Sequence, residues 1–315
     1  ELTAVVDTNI KVLEHLDENV SFYKTTNELF NREKVDGVII STPNNSHLKD
    51  ALDAIKYNCP LLVEKPITTK SIDTLKLIKK SKENKVDILV GHHRRHNPII
   101  QKAFHLIKNN EIGKLRTVHI YCQMYKPDRY FENKSWSQED GAGPIFVNLI
   151  HDLDLMNFLF GDIKSVFSNI QHSIRAHGNE DVASAVLEFE SGLLGTVLLS
   201  DSVTSPWSWE LTSRENDRYP FTGETCYFIG GSHGSLALPN LTIWKHGSSP
   251  DWLSPISATK IPFEFSDPLV NQIEHFVEVI KKNTLPLVTA EIANKSIKVI
   301  EAMKLSSLKR KLVEI

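Results

Sequence analysis

Cysteine is scarce: Cys59, Cys122 and Cys226 are the only three in 315 residues, and they lie far apart. No CxxC pair or disulfide framework can be built from them, so a reducing compartment fits and a cytoplasmic location is expected. No uninterrupted apolar run approaches the ~20 residues of a membrane-spanning helix, so no membrane partner is expected. An excess of charge of one sign is lacking too, with 36 basic and 39 acidic side chains and a formal net charge of −3. That removes the basic footprint of a nucleic-acid-binding protein, and the basic cluster at residues 304–311 reads as a solvated helix end. Internal repeats and low-complexity segments are absent, and so is any GxGxxG motif.

The chain does have an ordinary globular mixture, 41% hydrophobic and 24% charged, over a length that favours two domains. Its first third alternates short apolar runs with helical patterns. Residues 2–6, 35–41, 60–63 and 86–90 read as strands, the second fit for burial on both faces. Leu48, Ala51, Leu52, Ala54 and Ile55 recur at helical spacing over 46–58. Ile72, Leu75 and Ile78 do so over 71–84, where Ser71 and Thr74 make a partial capping box. Such alternation predicts βαβ units and a parallel sheet.

After about residue 97 the pattern changes. Helices are predicted over 98–110 and 143–160, and strands over 115–125, 182–189 and 193–199, the last two forming a hairpin through Glu190-Ser191-Gly192. Strand-like runs follow at 207–212, 226–229, 235–238 and 242–245, then helices near 268–282 and 290–305. Strands joined by short turns predict a largely antiparallel sheet. Its broad apolar face must be covered, which predicts a homodimer or homotetramer through the sheet. Trp207 and Trp209 stand on alternate positions of a predicted strand and so share a face.

Parallel sheets of this kind bind ligands beyond the C-terminal ends of their strands. Three chemistry-bearing stretches fall there: Asp7, then Thr42-Pro43-Asn44-Asn45-Ser46-His47, then Glu64-Lys65-Pro66. In a dinucleotide-binding fold an acidic residue ending the second strand holds the ribose diol, about 20 residues after a glycine-rich turn. Asp7 has the character of that residue. The expectation is that the opening strand, loop and helix lie outside the given residues. Taken alone, Asp7 would read merely as the end of a surface strand.

Together these motifs resemble the Gfo/Idh/MocA (glucose–fructose oxidoreductase / inositol dehydrogenase) family. The resemblance is carried by Ala4-Val5-Val6-Asp7, by Ser41 through His47, by Glu64-Lys65-Pro66 and by Gly91-His92-His93-Arg94-Arg95-His96-Asn97-Pro98. It continues through Ile112-Gly113-Lys114-Leu115, the block from Gly141-Ala142-Gly143-Pro144 to His151-Asp152-Leu153-Asp154, and Gln272-Ile273-Glu274-His275-Phe276. Each motif alone is weak; their order over nearly the whole chain is specific to the family, though not to a substrate. The resemblance implies an α/β protein. A Rossmann-type parallel-sheet domain over 1–97 would carry the cofactor, an α+β domain with an open, mostly antiparallel sheet would span 98–315, and the active site would lie between them.

Oxidising an alcohol to a ketone removes a hydride from carbon and a proton from oxygen. The cofactor takes the first; the protein must take the second and stabilise charge on the oxygen. Lys65 suits this task, because a partly desolvated lysine at a strand end can hydrogen-bond the reacting oxygen. The resemblance makes it the family's catalytic lysine; otherwise it is a solvated loop lysine. Glu64 would orient it or a nearby arginine, and Pro66 would fix the turn, through a bond open to the cis form. His151 is the candidate for proton transfer, on a predicted helix whose face it shares with Val147, Asn148, Asp154 and Leu155. Many family members carry an aspartate four residues before this histidine. Here that position is Val147, with Asn148 as a polar substitute. A lone helical histidine would otherwise be structural.

Arg94, Asn148, His151 and Asp154 are the substrate candidates, with Arg94 and Arg95 also suited to tying carboxylates or domains together. Asn179-Glu180-Asp181, ahead of a strand, is a looser candidate for a hydroxylated substrate. His92, His93 and His96 could be assembled into a metal site with His151 and Asp154, but their segment matches a metal-free stretch of the family, and no metal is expected. Asp7 would chelate the adenine-ribose diol and repel a 2′-phosphate, favouring NAD over NADP. Thr42, Pro43, Asn44, His47, Glu64 and Lys65 would border the cofactor, although Asn44 and Ser46 would equally serve a turn and a helix cap. The expected activity is NAD-dependent oxidation of a ring CH–OH in a sugar, inositol or related cyclic polyol. Dihydrodiol dehydrogenation, redox-assisted glycoside cleavage and non-catalytic cofactor-binding regulation are the alternatives.

Overall fold

The structure, a computed structural model, describes residues 1–132, 142–247 and 249–315. It divides into two compact units, residues 1–91 with 273–294 and residues 92–272 with 295–315. The division precedes the one read from the sequence after residue 97. The reason is that the 92–97 turn spends its side chains within the second unit, Arg94 on Asp152 and Arg95 on Asp154.

In the first unit β1 (Ala4–Val6) pairs in parallel with β2 (Ser21–Tyr23), and α1 (Thr26–Arg32) follows. Neither β2 nor α1 lies in a run that the sequence marks. Yet α1 is well capped: Thr25 Oγ1 accepts from Glu28 N as the N-cap, and the Glu28 carboxylate reaches back to accept from Lys24 N, one residue before the cap. β3 (Val38–Ile40), α2 (His47–Ile55), β4 (Leu61–Val63), α3 (Ser71–Asn84) and β5 (Ile88–Val90) form two βαβ units, and β3, β4 and β5 make a separate parallel sheet. Ser71 is the first residue of α3 rather than its cap, which is Lys70. β4 and β5 are buried throughout, whereas Ile39 of the edge strand β3 is 50% exposed, so burial on both faces does not extend to β3.

The second unit begins with α4 (Pro98–Lys108), which has proline in its first turn and Asn97 accepting from Ile99 N as its cap. Then come β6 (Leu115–Gln123), a π-helical turn (Ile145–Leu149), α5 (Ile150–Phe160), β7 (Ile163–His172), β8 (Glu180–Phe189), β9 (Leu194–Ser200) and α6 (Trp209–Thr212). β10 (Tyr227–Gly231), β11 (Ser235–Leu238), β12 (Thr242–His246), β13 (Ile256–Lys260), α7 (Pro268–Ile280), α8 (Ala290–Lys309) and β14 (Val313–Glu314) complete the chain. Nine strands form one sheet in the order β13-β12-β11-β10-β6-β9-β8-β7-β14, antiparallel at every pairing except β6–β9.

One side of this sheet builds the core. Val118, Ile120, Leu187, Val197 and Ile229 cluster with Ile150, Leu153, Met156 and Leu159 of α5. Across five strands, Phe228, His119, Thr196, Val186 and Phe167 stand directly opposite one another in a row. Within that row Phe228, Val186 and Phe167 are 44%, 51% and 45% exposed.

The strand predicted over 207–212 is corrected. Ser208 Oγ accepts from Leu211 N and caps the single helical turn α6. Trp209 is consequently buried while Trp207 stays exposed, and the two indoles do not share a sheet face.

Candidate active site

Ile40, Val63 and Val90 are level across β3, β4 and β5, so Thr42, the Glu64–Pro66 turn and Gly91 all leave one edge of that sheet. Glu64 N donates to Ile40 O and Gly91 N to Val63 O, each at 2.8 Å, carrying the ladder one residue past the strands. The Glu64 carboxylate lies against Gly91. A Cβ at position 91 would meet Glu64 Oε1 at 2.9 Å, so this close approach needs glycine. The same carboxylate accepts from Lys65 N at 3.2 Å. Lys65 is half-buried, and the Lys65–Pro66 bond is cis.

Asp7 is half-buried just beyond β1, and its Oδ1 accepts from Asn9 N at 2.7 Å. Thr42 Oγ1 donates to Asp50 Oδ2 at 2.7 Å; Pro43 is exposed and Asn44 half-buried in the turn before α2. His47 differs from expectation. It is buried, with Nδ1 facing Pro66 O and Nε2 facing Thr42 O, both at 2.7 Å. Both ring nitrogens are thus taken up by backbone carbonyls. His47 braces the Thr42 loop against the Lys65–Pro66 turn and presents no ring nitrogen to a cofactor.

In the second unit Ile145 N donates to Glu180 Oε1 at 3.0 Å. A Cβ at Gly143 would overlap that carboxylate, so glycine here lets Glu180 serve the start of the helix rather than a substrate. Gly141 of the same motif lies outside the described residues. The π-helical turn carries Val147 and Asn148, both half-buried, and turns of this type recur at functional sites. Asn148 uses both ends of its amide: Oδ1 accepts from Lys126 Nζ at 2.7 Å, and Nδ2 donates to Glu210 Oε1 at 3.1 Å. His151 is 6% exposed, and the rings of His92 and His93 stand edge-on to it at 5.9 and 5.1 Å. Among the described residues, no group of three His, Cys, Asp or Glu side chains is placed to hold a metal ion.

Arg94 and Asp154, expected as substrate contacts, are buried and internally paired. Arg94 donates to Asp152 Oδ1 at 3.0 Å and to Glu210 Oε1 at 2.8 Å. Arg95 clasps both oxygens of Asp154 at 2.7 Å each. A carboxylate already held by a bidentate guanidinium has little left for a ligand. Tyr227 also donates its hydroxyl to Asp152 Oδ1. Burial pushes the Asp152 carboxyl up to about 6 against the pull of Arg94. Burial acts upward on Glu215 too, but the hydrogen bond and charge of His93, with help from Arg94 and Trp209, outweigh it and hold that carboxyl at about 2.

Lys126 lies 3.3 Å from Asp201 Oδ2, and Arg175 bonds the other oxygen of Asp201 at 3.1 Å. Arg175 helps line a cavity of about 520 Å³ with Tyr125, Asp128, Phe131, Ile174 and His177. Lys126, Glu210, Glu215 and Tyr227 carry no local spacing that marks them in the sequence; only the fold brings them to Asn148, Arg94, His93 and Asp152.

Residues 1–92 match the family model described as "Oxidoreductase family, NAD-binding Rossmann fold", and residues 100–237 match the "GFO/IDH/MocA C-terminal domain". A 2,7-anhydro-N-acetylneuraminate hydratase of Escherichia coli is 31% identical over 175 residues, covering 54% of this chain and 46% of that protein. A myo-inositol 2-dehydrogenase of Thermotoga maritima is 26% identical, covering 56% and 52%. A scyllo-inositol 2-dehydrogenase (NAD(+)) of Bacillus subtilis is 28% identical, covering 81% and 70%. The matched stretch thus spans about half the length of the first two relatives. An oxidoreductase from Agrobacterium radiobacter, solved with NAD+, L-tartaric acid and magnesium, has a TM-score of 0.80 at 17% identity, covering 99% of this chain and 90% of that one. The WlbA dehydrogenase from Bordetella pertussis, solved with NADH and UDP-GlcNAcA, has a TM-score of 0.79 at 18% identity, covering 100% and 90%. At these identities the two structures share the fold.

Proposed function

The chain belongs to the Gfo/Idh/MocA oxidoreductase family, and on that premise we propose that it is an NAD-dependent enzyme oxidising a ring CH–OH of a sugar, inositol or related cyclic polyol. The observation that carries this reading is the setting of Lys65. It is a half-buried lysine at the C-terminal end of a parallel strand, beside a carboxylate packed onto Gly91. The first unit suits a dinucleotide, since Asp7, Thr42, Asn44 and Glu64 all follow parallel strands at the ends where such ligands bind. Asp7 would hold the ribose diol and disfavour a 2′-phosphate. The nicotinamide, when bound, accepts the hydride.

The protein's own share is the proton and the charge on oxygen. The Lys65 ammonium donates a hydrogen bond to the reacting oxygen and stabilises it as the proton leaves. His151 takes that proton on a ring nitrogen. Asn148, held by Lys126 and Glu210, supplies a fixed polar group near the start of the same helix. A second copy of the chain would cover the row from Phe228 to Phe167. The test is a panel of cyclic polyols and sugars with NAD and with NADP, following reduced cofactor. NAD-linked oxidation of one of them is expected. Tight NAD binding with no turnover across the panel would overturn the enzymatic reading and favour a regulator.

A further inference from the structure

We propose that the Glu215–His93 pair orients His151 and supplies the negative charge that the apolar Val147 does not; this rests on the reading of His151 as proton acceptor. Glu215 follows α6 and is nearly buried. Its carboxylate is gripped by three donors: His93 Nε2 at 2.9 Å, Asn97 Nδ2 at 2.7 Å and Trp209 Nε1 at 2.9 Å. A carboxylate fixed from the 92–97 turn and from α6 at once fixes the His93 ring in its turn. That ring stands edge-on to His151 at 5.1 Å and 73°. His92 stands edge-on at 86°, so His151 is packed against two imidazoles from one turn.

The other carboxylates nearby are spent. Arg95 clasps Asp154 with two hydrogen bonds. Asp152 and Glu210 share Arg94. Glu215 has only a 4.0 Å approach to Arg94 Nε, and its Trp209 and Asn97 donors are neutral. Its carboxylate is therefore directed chiefly at His93. When the substrate O–H bond breaks, the proton forms an N–H bond on His151, whose ring becomes cationic. Glu215 stabilises that cation through the aligned His93, and no proton need travel beyond His151. His93 and Glu215 are positioning residues in this account. The titratable and charged groups that meet the His151 ring, or are bonded to its helix, to Asn148 or to the 92–97 turn, are His92, His93, Arg94 and Arg95, Asp152 and Asp154, Lys126, Glu210, Glu215 and Tyr227.

The test is imidazole ¹⁵N NMR titration of the full chain, with the His151 signal assigned by its loss in H151Q. In E215Q the midpoint of His151 should move to lower pH by about one pH unit, since a nearby opposite charge has been removed. E215D should restore part of that movement. If E215Q does not fold, E215N, which also removes the carboxylate charge while keeping His93, should shift it in the same direction. A midpoint that stays in place or rises in a folded variant overturns the proposal. Where turnover is measurable, the acid limb of kcat should move with the midpoint while KM stays nearly constant. A shifted midpoint in a protein without turnover would sink the enzymatic reading and leave the pair standing; turnover without the shift would sink the pair alone.

Discussion

Arg94 is the cation on which two buried acids depend, because Asp152 and Glu210 both lean on it. Replacing it with Met should destabilise the protein by about 3–5 kcal/mol, read by urea denaturation at neutral pH, since both carboxylates are left buried without their counter-charge. Glu215 and Asp152 should pull in opposite directions with pH. Glu215, lowered from 4.5 to about 2 in the fold, contributes stability that is present above the ordinary carboxylate range and lost as pH falls toward 2. That contribution is on the order of 3 kcal/mol, and denaturation midpoints followed against pH should show it vanish in E215Q. Asp152 is raised from 3.8 to about 6, so the folded state binds the extra proton and stability falls as pH rises across that window. Lys65 and His151 can be proposed from the sequence because they sit in ordered motifs. Glu215 is not, because its partner His93 lies 122 positions away and neither spacing nor residue type links them. For His47, Arg94 and Asp154 the motif marks the position and leaves the partner open, since a polar residue inside a motif reads the same whether it faces a ligand or another protein group.

At the scale of the elements, apolar runs locate the strands of the first unit but overstate their lengths, since each of β1, β3, β4 and β5 pairs over three residues. α5 was locatable but not orientable: apart from the half-buried Phe158 it is buried along its whole length, so its apolar residues do not single out one face. The π-helical turn ahead of it leaves no sequence signature, yet it carries both Val147 and Asn148. The run at 207–212 was misleading because β-rich composition competed with a serine cap, and the cap won. Gly91 tests the close packing at the end of β4. G91A should cost little stability, because the Cβ meets only the far end of the Glu64 side chain, but it should drive that carboxylate away. It should also lower turnover more than thermal stability alone predicts, as measured by parallel melting and rate assays on the variant.

For the molecule as a whole, the switch from parallel to antiparallel sheet was plain from the connections, while the parallel β6–β9 pairing at the centre of the larger sheet was not, because those strands are separated by α5, β7 and β8. Nor did the sequence mark the return of residues 273–294 to the first unit. The row of Phe228, Val186 and Phe167 on the open side of the sheet predicts self-association. V186D, at its centre, should convert the protein to monomers in analytical ultracentrifugation with little loss of secondary structure; an unchanged oligomer would place the contact elsewhere. If this chain moves a hydride and a proton with Lys65 at the reacting oxygen, the decisive measurement is turnover by K65A. The expected result is a fall in the rate of cofactor reduction of about a hundredfold or more, with NAD affinity held within about twofold. Undiminished turnover in K65A would contradict it.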